Sequence, residues 1–182
     1  TAYTRTYLKL DGVKKPAISS ACPVISRLIS LRFPSLSEHI IHMLPPMEIA
    51  AKLARERALK EHPELSDEDI GVCFISPCPG KASYVKNGFG DYRSRVDVVV
   101  PISDVYFQLI NAMSRNDTPD TLSASGRIGV GWATSGGEAS ALFNDSYLAA
   151  DGIDNVIRVL DQIENGNIAQ LEFVELNACP GG

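Results

Sequence analysis

The sequence contains no run of apolar residues that approaches the roughly 20 needed to cross a bilayer. With 17 basic and 22 acidic residues, the chain has a net charge of −5, which provides no basic field for nucleic acid or anionic lipid. Its four cysteines are too few and too irregularly spaced for a secreted disulfide framework. We therefore expect a cytoplasmic protein with reduced thiols and with neither a nucleic-acid nor a membrane partner.

The length of the chain sets the expected number of domains. At 182 residues it can form a core that buries roughly two-thirds of its surface. It begins at Thr1 rather than at a methionine, and it stops at Gly182, directly after a Cys-Pro-Gly sequence. We therefore expect residues 1–182 to be a single lobe taken from a longer multidomain protein.

What the sequence does contain is an unusual cysteine pattern. Cys22, Cys78 and Cys179 are each followed directly by proline, a coincidence with a chance of about one in a thousand at average proline usage. Each also follows a short apolar run of the kind that forms a buried strand. In open α/β sheets, ligands are held where strands end and loops begin. Three thiols placed alike on a sheet therefore predict ligands that converge on one metal centre.

Apolar runs and helical spacings alternate along the chain, which predicts an α/β fold with a mixed or mostly parallel sheet flanked by helices. The predicted strands are 17–18, 70–75, 96–100, 127–133 and 171–176, and the predicted helices are 23–33, 45–60, 103–112, 138–148 and 153–164. The apolar faces are expected to carry Val24, Leu28 and Leu31 in the first helix, and Val105, Leu109 and Ala112 in the third.

The fourth cysteine, Cys73, lies inside an apolar run, so we expect it to be a buried small hydrophobe. For the three Cys-Pro thiols, the residues alone leave several interpretations open. They could ligate zinc or an iron–sulfur cluster, both of which select soft thiolate ligands, or they could be unrelated loop cysteines. A 4Fe–4S cluster takes four thiolates.

The sequence around these cysteines resembles the C-terminal domain of the iron-only hydrogenase large subunit. Ile18–Pro23 and Arg32–Leu36 together resemble the first motif of that family, and Pro77–Lys81 resembles the second. Phe173–Gly182 resembles the third motif, and Ser135–Ala139 resembles the family's Gly-Gly turn. Because the matches keep the family's order along the chain, they are more specific than any single motif.

The resemblance implies a metal centre and its ligands. Cys22, Cys78 and Cys179 match three thiolate ligands of a 4Fe–4S cluster, and the fourth family cysteine would be the residue after Gly182. Lys81 matches the lysine that hydrogen-bonds a cyanide on a di-iron subsite in the full-length protein. Since one thiolate of four is missing from 1–182, we expect this stretch to hold little or no intact cluster.

Other positions depart from the family pattern. Ala21, Ser76, Pro77 and Asn177 are expected beside the cofactor. Ala21 stands where active members have a proton-shuttling cysteine, Ser76 and Asn177 replace two methionines, and Tyr84 replaces a glutamate. Because proton relay needs titratable groups in contact, we expect hydrogen turnover to be weak or absent.

These losses resemble the sensory branch of the family more than the productive one. They imply an iron–sulfur redox sensor that passes electrons or signals to fused or separate ferredoxin-type or signalling domains. Two alternatives stay open, which are an active hydrogenase with a different proton path and a cofactor-free module with the same fold.

Overall fold

The structure is a computed structural model that describes residues 1–88, 92–115 and 126–182. Its contacts divide the chain into two compact units. The first unit combines Thr1–Met43 with the C-terminal part of the chain, described from Gly126, and the second unit is described from Leu44 to Arg115. The prediction of a single lobe over 1–182 stays a prediction. No described helix is both long enough and apolar enough to cross a membrane.

The first unit is built around a three-stranded parallel sheet. Its strands are β1 (Ala17–Ile18), β4 (Tyr147–Asp151) and β5 (Phe173–Asn177), and its helices are α1 (Ala2–Tyr7), α2 (Pro23–Arg32), α6 (Arg127–Gly131), α7 (Gly137–Ser140) and α8 (Ile153–Glu164), with a 3-10 helix at Pro34–His39. β5 lies between β1 and β4. Val174 is in register with Ile18 on one side and Leu148 on the other.

The core of the first unit forms where α2 and α8 pack on this sheet. Each contributes side chains one helical turn apart, which places them on a single face. The buried cluster is Ile18, Ile25, Ile29, Phe33, Leu36, Val156, Leu160, Ile163, Val174 and Leu176. Gly166, with a φ of 72°, ends the α8 region in a left-handed conformation that glycine adopts without strain.

The second unit contains a two-stranded parallel sheet and three helices. Its elements are α3 (Pro46–Glu61), a 3-10 helix at Asp67–Asp69, β2 (Cys73–Ser76), α4 (Pro79–Asn87), β3 (Val98–Pro101) and α5 (Ile102–Met113). Buried Arg55 on α3 donates to the Asp97 carboxylate (2.5 Å) and to backbone carbonyls of Asp67 (2.9 Å), Ile70 (2.8 Å) and Arg95 (3.2 Å). One planar guanidinium therefore joins three segments of this unit.

The predicted α/β class with parallel sheets flanked by helices is confirmed, but two predicted elements are wrong. Residues 127–133 were expected to be a strand, and the structure has the short helix α6 there. Residues 138–148 were expected to be a helix, but α7 ends at Ser140 and β4 begins at Tyr147. Phe143, with a φ of 53°, reverses the chain between them. The apolar spacing could not reveal that 147–151 pairs with β5.

Four predicted buried positions are also corrected, and one of them is Ala112 on α5, which is exposed. On α2 the buried face carries Ile25 and Ile29, whereas Leu31 is 77% exposed. Cys73 is exposed rather than buried, because the alternation in β2 turns Phe74 and Ser76 inward and places Cys73 on the opposite face. Leu109 on α5 is exposed as well. Spacing identifies a helix, but which of its faces is covered depends on what packs against it.

Candidate metal centre

Cys22 occupies the N-cap of α2, directly after the turn that follows β1. Its backbone is extended, with φ −97° and ψ 107°, and Pro23 takes the first helical position. The Cys22 carbonyl accepts from the N–H groups of Ile25 (3.1 Å) and Ser26 (3.2 Å). Cys22 therefore stands at the start of α2, with its carbonyl already bonded into the first turn.

Cys78 occupies the same local structure in the second unit. It is the N-cap of α4, with φ −93° and ψ 110°, and Pro79 takes the first helical position. The Ser76 hydroxyl accepts the Cys78 N–H (3.2 Å) just where β2 ends. Pro79 is the first residue of the helix. Lys81 stands three positions after Cys78, on the same face of the first turn.

Cys179 lies two residues beyond the end of β5 and is exposed. The turn that follows it is held by two backbone hydrogen bonds. The Gly181 N–H donates to the Asp151 carboxylate (2.9 Å) at the end of β4, and the Gly181 carbonyl accepts from the Ser135 N–H (3.0 Å). A Cβ on Gly182 would come within 2.6 Å of the Ala133 carbonyl oxygen, so the chain approaches too closely there for a side chain.

The other predicted cofactor-side residues flank these thiols. Ala21 precedes Cys22 and is half-buried, and Asn177 is half-buried and donates to the Glu175 carboxylate (3.1 Å). Ser76 is 5% exposed, while Pro77 is exposed. Their roles toward a cofactor stay predictions.

The structure brings two of the three predicted ligands to one edge of a sheet. Cys22 follows β1 and Cys179 follows β5, and these strands are adjacent and parallel, so both thiols lie beyond the carboxyl ends of the same sheet. Cys78 belongs to the second unit. Among the described residues, no three His, Cys, Asp or Glu side chains lie close enough together to hold a metal ion. The donor set, three soft thiols, nevertheless fits iron–sulfur chemistry.

Sequence reasoning missed the side chains that support these turns. Asp151 holds the turn after Cys179, and the Ser19 hydroxyl accepts the Ala21 N–H (3.2 Å) beside Cys22. Glu138 and Glu175 lie buried behind them. One signal was available for Glu175, because it is a charged residue inside an apolar strand sequence, where an unpaired charge is not tolerated.

Comparison with protein families identifies this fold. Residues 2–149 match the model of the iron-only hydrogenase large subunit, C-terminal domain. The chain belongs to this family. The match includes Cys22, Cys78 and Lys81 and stops before Cys179. A search of the curated proteins found no match.

Solved hydrogenase structures share the fold. A variant of the FeFe-hydrogenase HydA1 from Chlamydomonas reinhardtii has 15% identity and a TM-score of 0.66, covering 97% of this chain and 62% of its own. An apo variant of the same enzyme has 14% identity and a TM-score of 0.64, with coverages of 98% and 62%. HydA(deltaEFG), solved to follow stepwise assembly of the H-cluster, has 16% identity and a TM-score of 0.61, with coverages of 91% and 59%. The hydrogenase-family chain described here therefore spans about three-fifths of the length of these relatives.

Proposed function

We propose that this hydrogenase-family chain is part of an iron–sulfur redox or sensor domain, with Cys22, Cys78 and Cys179 as three thiolate ligands of a 4Fe–4S cluster. The observation that carries the proposal is the shared local structure of the first two. Each caps a helix that opens with proline, within four residues of the end of a parallel strand. Two independent units would have no structural need to place a cysteine identically.

The chemistry of the two helix starts supports thiolate ligands. Proline at the first helical position lacks an N–H and has its φ fixed near the helical value, so each cysteine is held at the point where its helix begins. The thiolate is the form of cysteine that ligates metals. A bound cluster would supply one-electron redox chemistry.

A sensing role fits the side chains around the thiols better than rapid turnover does. Ala21 has no group that can carry a proton. The Ser76 hydroxyl makes a local hydrogen bond, in which it accepts the Cys78 N–H. Lys81, one helical turn from Cys78, has an ammonium that suits an anionic metal-bound ligand such as the cyanide of a di-iron subsite in the full-length protein. Fused or separate ferredoxin-type or signalling domains would receive the electron or the signal.

Hydrogen turnover through a different proton path is the second candidate. The solved relatives are named as FeFe-hydrogenases, which favours this candidate. The position of Lys81, three residues after the predicted ligand Cys78, favours it as well. A metal-free module that keeps the fold is the remaining alternative, and the same experiment distinguishes it.

The test is anaerobic loading with iron and sulfide of the chain lengthened by the cysteine that the family has after Gly182. We expect about four irons per chain and an electron paramagnetic resonance signal on reduction. Cys78→Ala should lose the signal, whereas Cys73→Ala should keep it. Cys73 is the matched control because it is an exposed cysteine on the strand that leads to Cys78.

Three outcomes are informative. A signal in wild type and Cys73→Ala that is lost in Cys78→Ala supports the proposed centre, and a hydrogen assay on that material then separates sensing from turnover. Equal loss in both cysteine variants contradicts the assignment of Cys78. No iron bound in wild type favours the metal-free module.

A further inference from the structure

The first unit buries two carboxyl groups between β1, α7 and β5. Glu138 and Glu175 are each only 4% exposed, and a carboxylate so deeply buried is costly unless polar partners replace its hydration. The partners of the two groups differ in chemical kind. This difference determines which of them carries a charge.

Glu175 is surrounded by N–H donors. Its carboxylate accepts from the backbone N–H of Gly136 (3.0 Å), the backbone N–H of Ala139 (2.8 Å) and the side-chain amide of Asn177 (3.1 Å). N–H groups only donate, and an ionised carboxylate only accepts. Three such donors match the ionised form of Glu175.

Glu138 has hydroxyl partners instead. Ser19 lies 2.5 Å from one carboxyl oxygen and Thr4 lies 3.3 Å from the other. Because a hydroxyl both donates and accepts, a neutral carboxylic acid is satisfied there as well as a carboxylate is. Burial raises the pKa of Glu138, the Ser19 hydrogen bond opposes that shift, and the charge of Glu175 raises the pKa further.

We propose that Glu138 and Glu175 form a buried carboxyl pair that shares one negative charge, with a proton held on Glu138, and that this pair positions the loops of Cys22 and Cys179. The positioning role rests on the proposed function, whereas the shared charge does not.

Among the described residues, the charge of Glu175 raises the pKa of Glu138, and the α-ammonium at the start of this 182-residue stretch lowers it. Arg5 on α1 contacts the far end of α7, where it donates to the Ala141 carbonyl and lies 4.5 Å from the Phe143 ring centroid. Arg5 makes no hydrogen bond to Glu138 among the described residues, and its Nε is buried without a hydrogen-bond partner there. The partners that contact Glu138 directly are the Ser19 and Thr4 hydroxyls.

Hydrogen bonds connect the pair to both cysteine loops. The Ser19 hydroxyl that meets Glu138 also accepts the N–H of Ala21, the residue before the first predicted ligand (3.2 Å). Glu175 holds Asn177, two residues before Cys179. A second negative charge on Glu138 would repel Glu175 and would leave an extra buried carboxylate with only hydroxyl donors.

The shared charge is tested on the 182-residue chain by carbon-13 NMR of labelled glutamate carboxyl carbons across a pH series. We expect one glutamate to titrate above the ordinary value of 4.5 and its resonance to be missing in Glu138→Gln. Glu38→Gln is the matched control, because Glu38 is 77% exposed and the upward-shifted resonance should remain in this variant. If no glutamate of the wild type titrates above the ordinary value, the shared charge is wrong, whatever the variants do.

The positioning role is tested on the lengthened chain through the pH dependence of iron retention after anaerobic loading, with urea unfolding in parallel. Stability from a raised carboxyl pKa is complete below the unfolded value and is lost as pH rises through the folded value. We expect wild type to unfold more readily and to lose iron faster as pH rises, and Glu138→Gln, a neutral mimic, to lose this dependence.

Glu175→Gln should lose iron about tenfold faster at every pH, since its amide cannot accept all the N–H donors. Iron retention that is unchanged in both variants overturns the positioning role. A titrating Glu138 with no iron bound at any pH leaves the pair standing and contradicts the proposed function. Bound iron in a chain where no glutamate titrates above the ordinary value contradicts the carboxyl pair and leaves the proposed function standing.

Discussion

Substituting Ile29 by alanine tests the structural assignment of the buried face of α2. Ile29 is 0% exposed within the main core cluster. Removing three carbon atoms at about 0.8 kcal/mol each gives about 2.4 kcal/mol, and the cavity left behind brings the expected loss to about 3 kcal/mol. Leu31→Ala is the matched control on the same helix. Because Leu31 is 77% exposed, its loss should stay within about 0.5 kcal/mol.

Urea unfolding followed by the fluorescence of Trp132, the one tryptophan in the sequence, reports on the unit that contains α2. With a slope of about 2 kcal/mol per molar urea, Ile29→Ala should lower the midpoint by about 1.5 M and Leu31→Ala by at most about 0.25 M. A larger loss in Leu31→Ala than in Ile29→Ala would refute the assignment and restore the face that the sequence spacing favoured.

Two further predictions concern the second unit. Arg55→Lys should destabilise this unit by about 2 kcal/mol in urea unfolding, because an ammonium cannot reproduce the fork that reaches Asp97 and three backbone carbonyls. The control is Arg57→Lys, since Arg57 is exposed two positions along α3, and it should leave the midpoint unchanged. Equal effects of the two variants would contradict the structural role of Arg55. In an ultraviolet titration, one phenol should ionise at a pKa of about 12 and be missing in Tyr84→Phe, since burial and the Glu48 carboxylate raise the pKa of Tyr84. An unchanged titration curve in the variant would contradict the assignment of this phenol to Tyr84.

The elements predicted well from sequence are those whose signals are local. Pro23 at the start and Phe33 at the end bracket α2, and Gly166 ends the α8 region. Proline and glycine restrict or release φ within the residue itself, so their effect needs no distant partner. The family resemblance relied on the same short segments, and the match over residues 2–149 bears it out.

The predictions that failed depended on distant partners. Tyr147 and Leu148 were predicted to end a helix, but they open the strand Tyr147–Asp151, which forms because β5 supplies parallel hydrogen bonds along its whole length. The glycines in 127–133 leave a weak local preference, and the segment folds as a short helix. Pairing between residues 26 positions apart leaves no signature in a local apolar pattern.

The sequence by itself determined the class of the fold, the family and the three Cys-Pro positions, because composition, proline and glycine act through the local backbone. Only the tertiary structure decided that Ile29 is covered while Leu31 is not, and that Cys73 is exposed. It also revealed the carboxyl pair of Glu138 and Glu175, which are 37 positions apart in the chain. Burial and the chemical kind of each hydrogen-bond partner are properties of packing, and packing brings together residues that the linear sequence keeps apart.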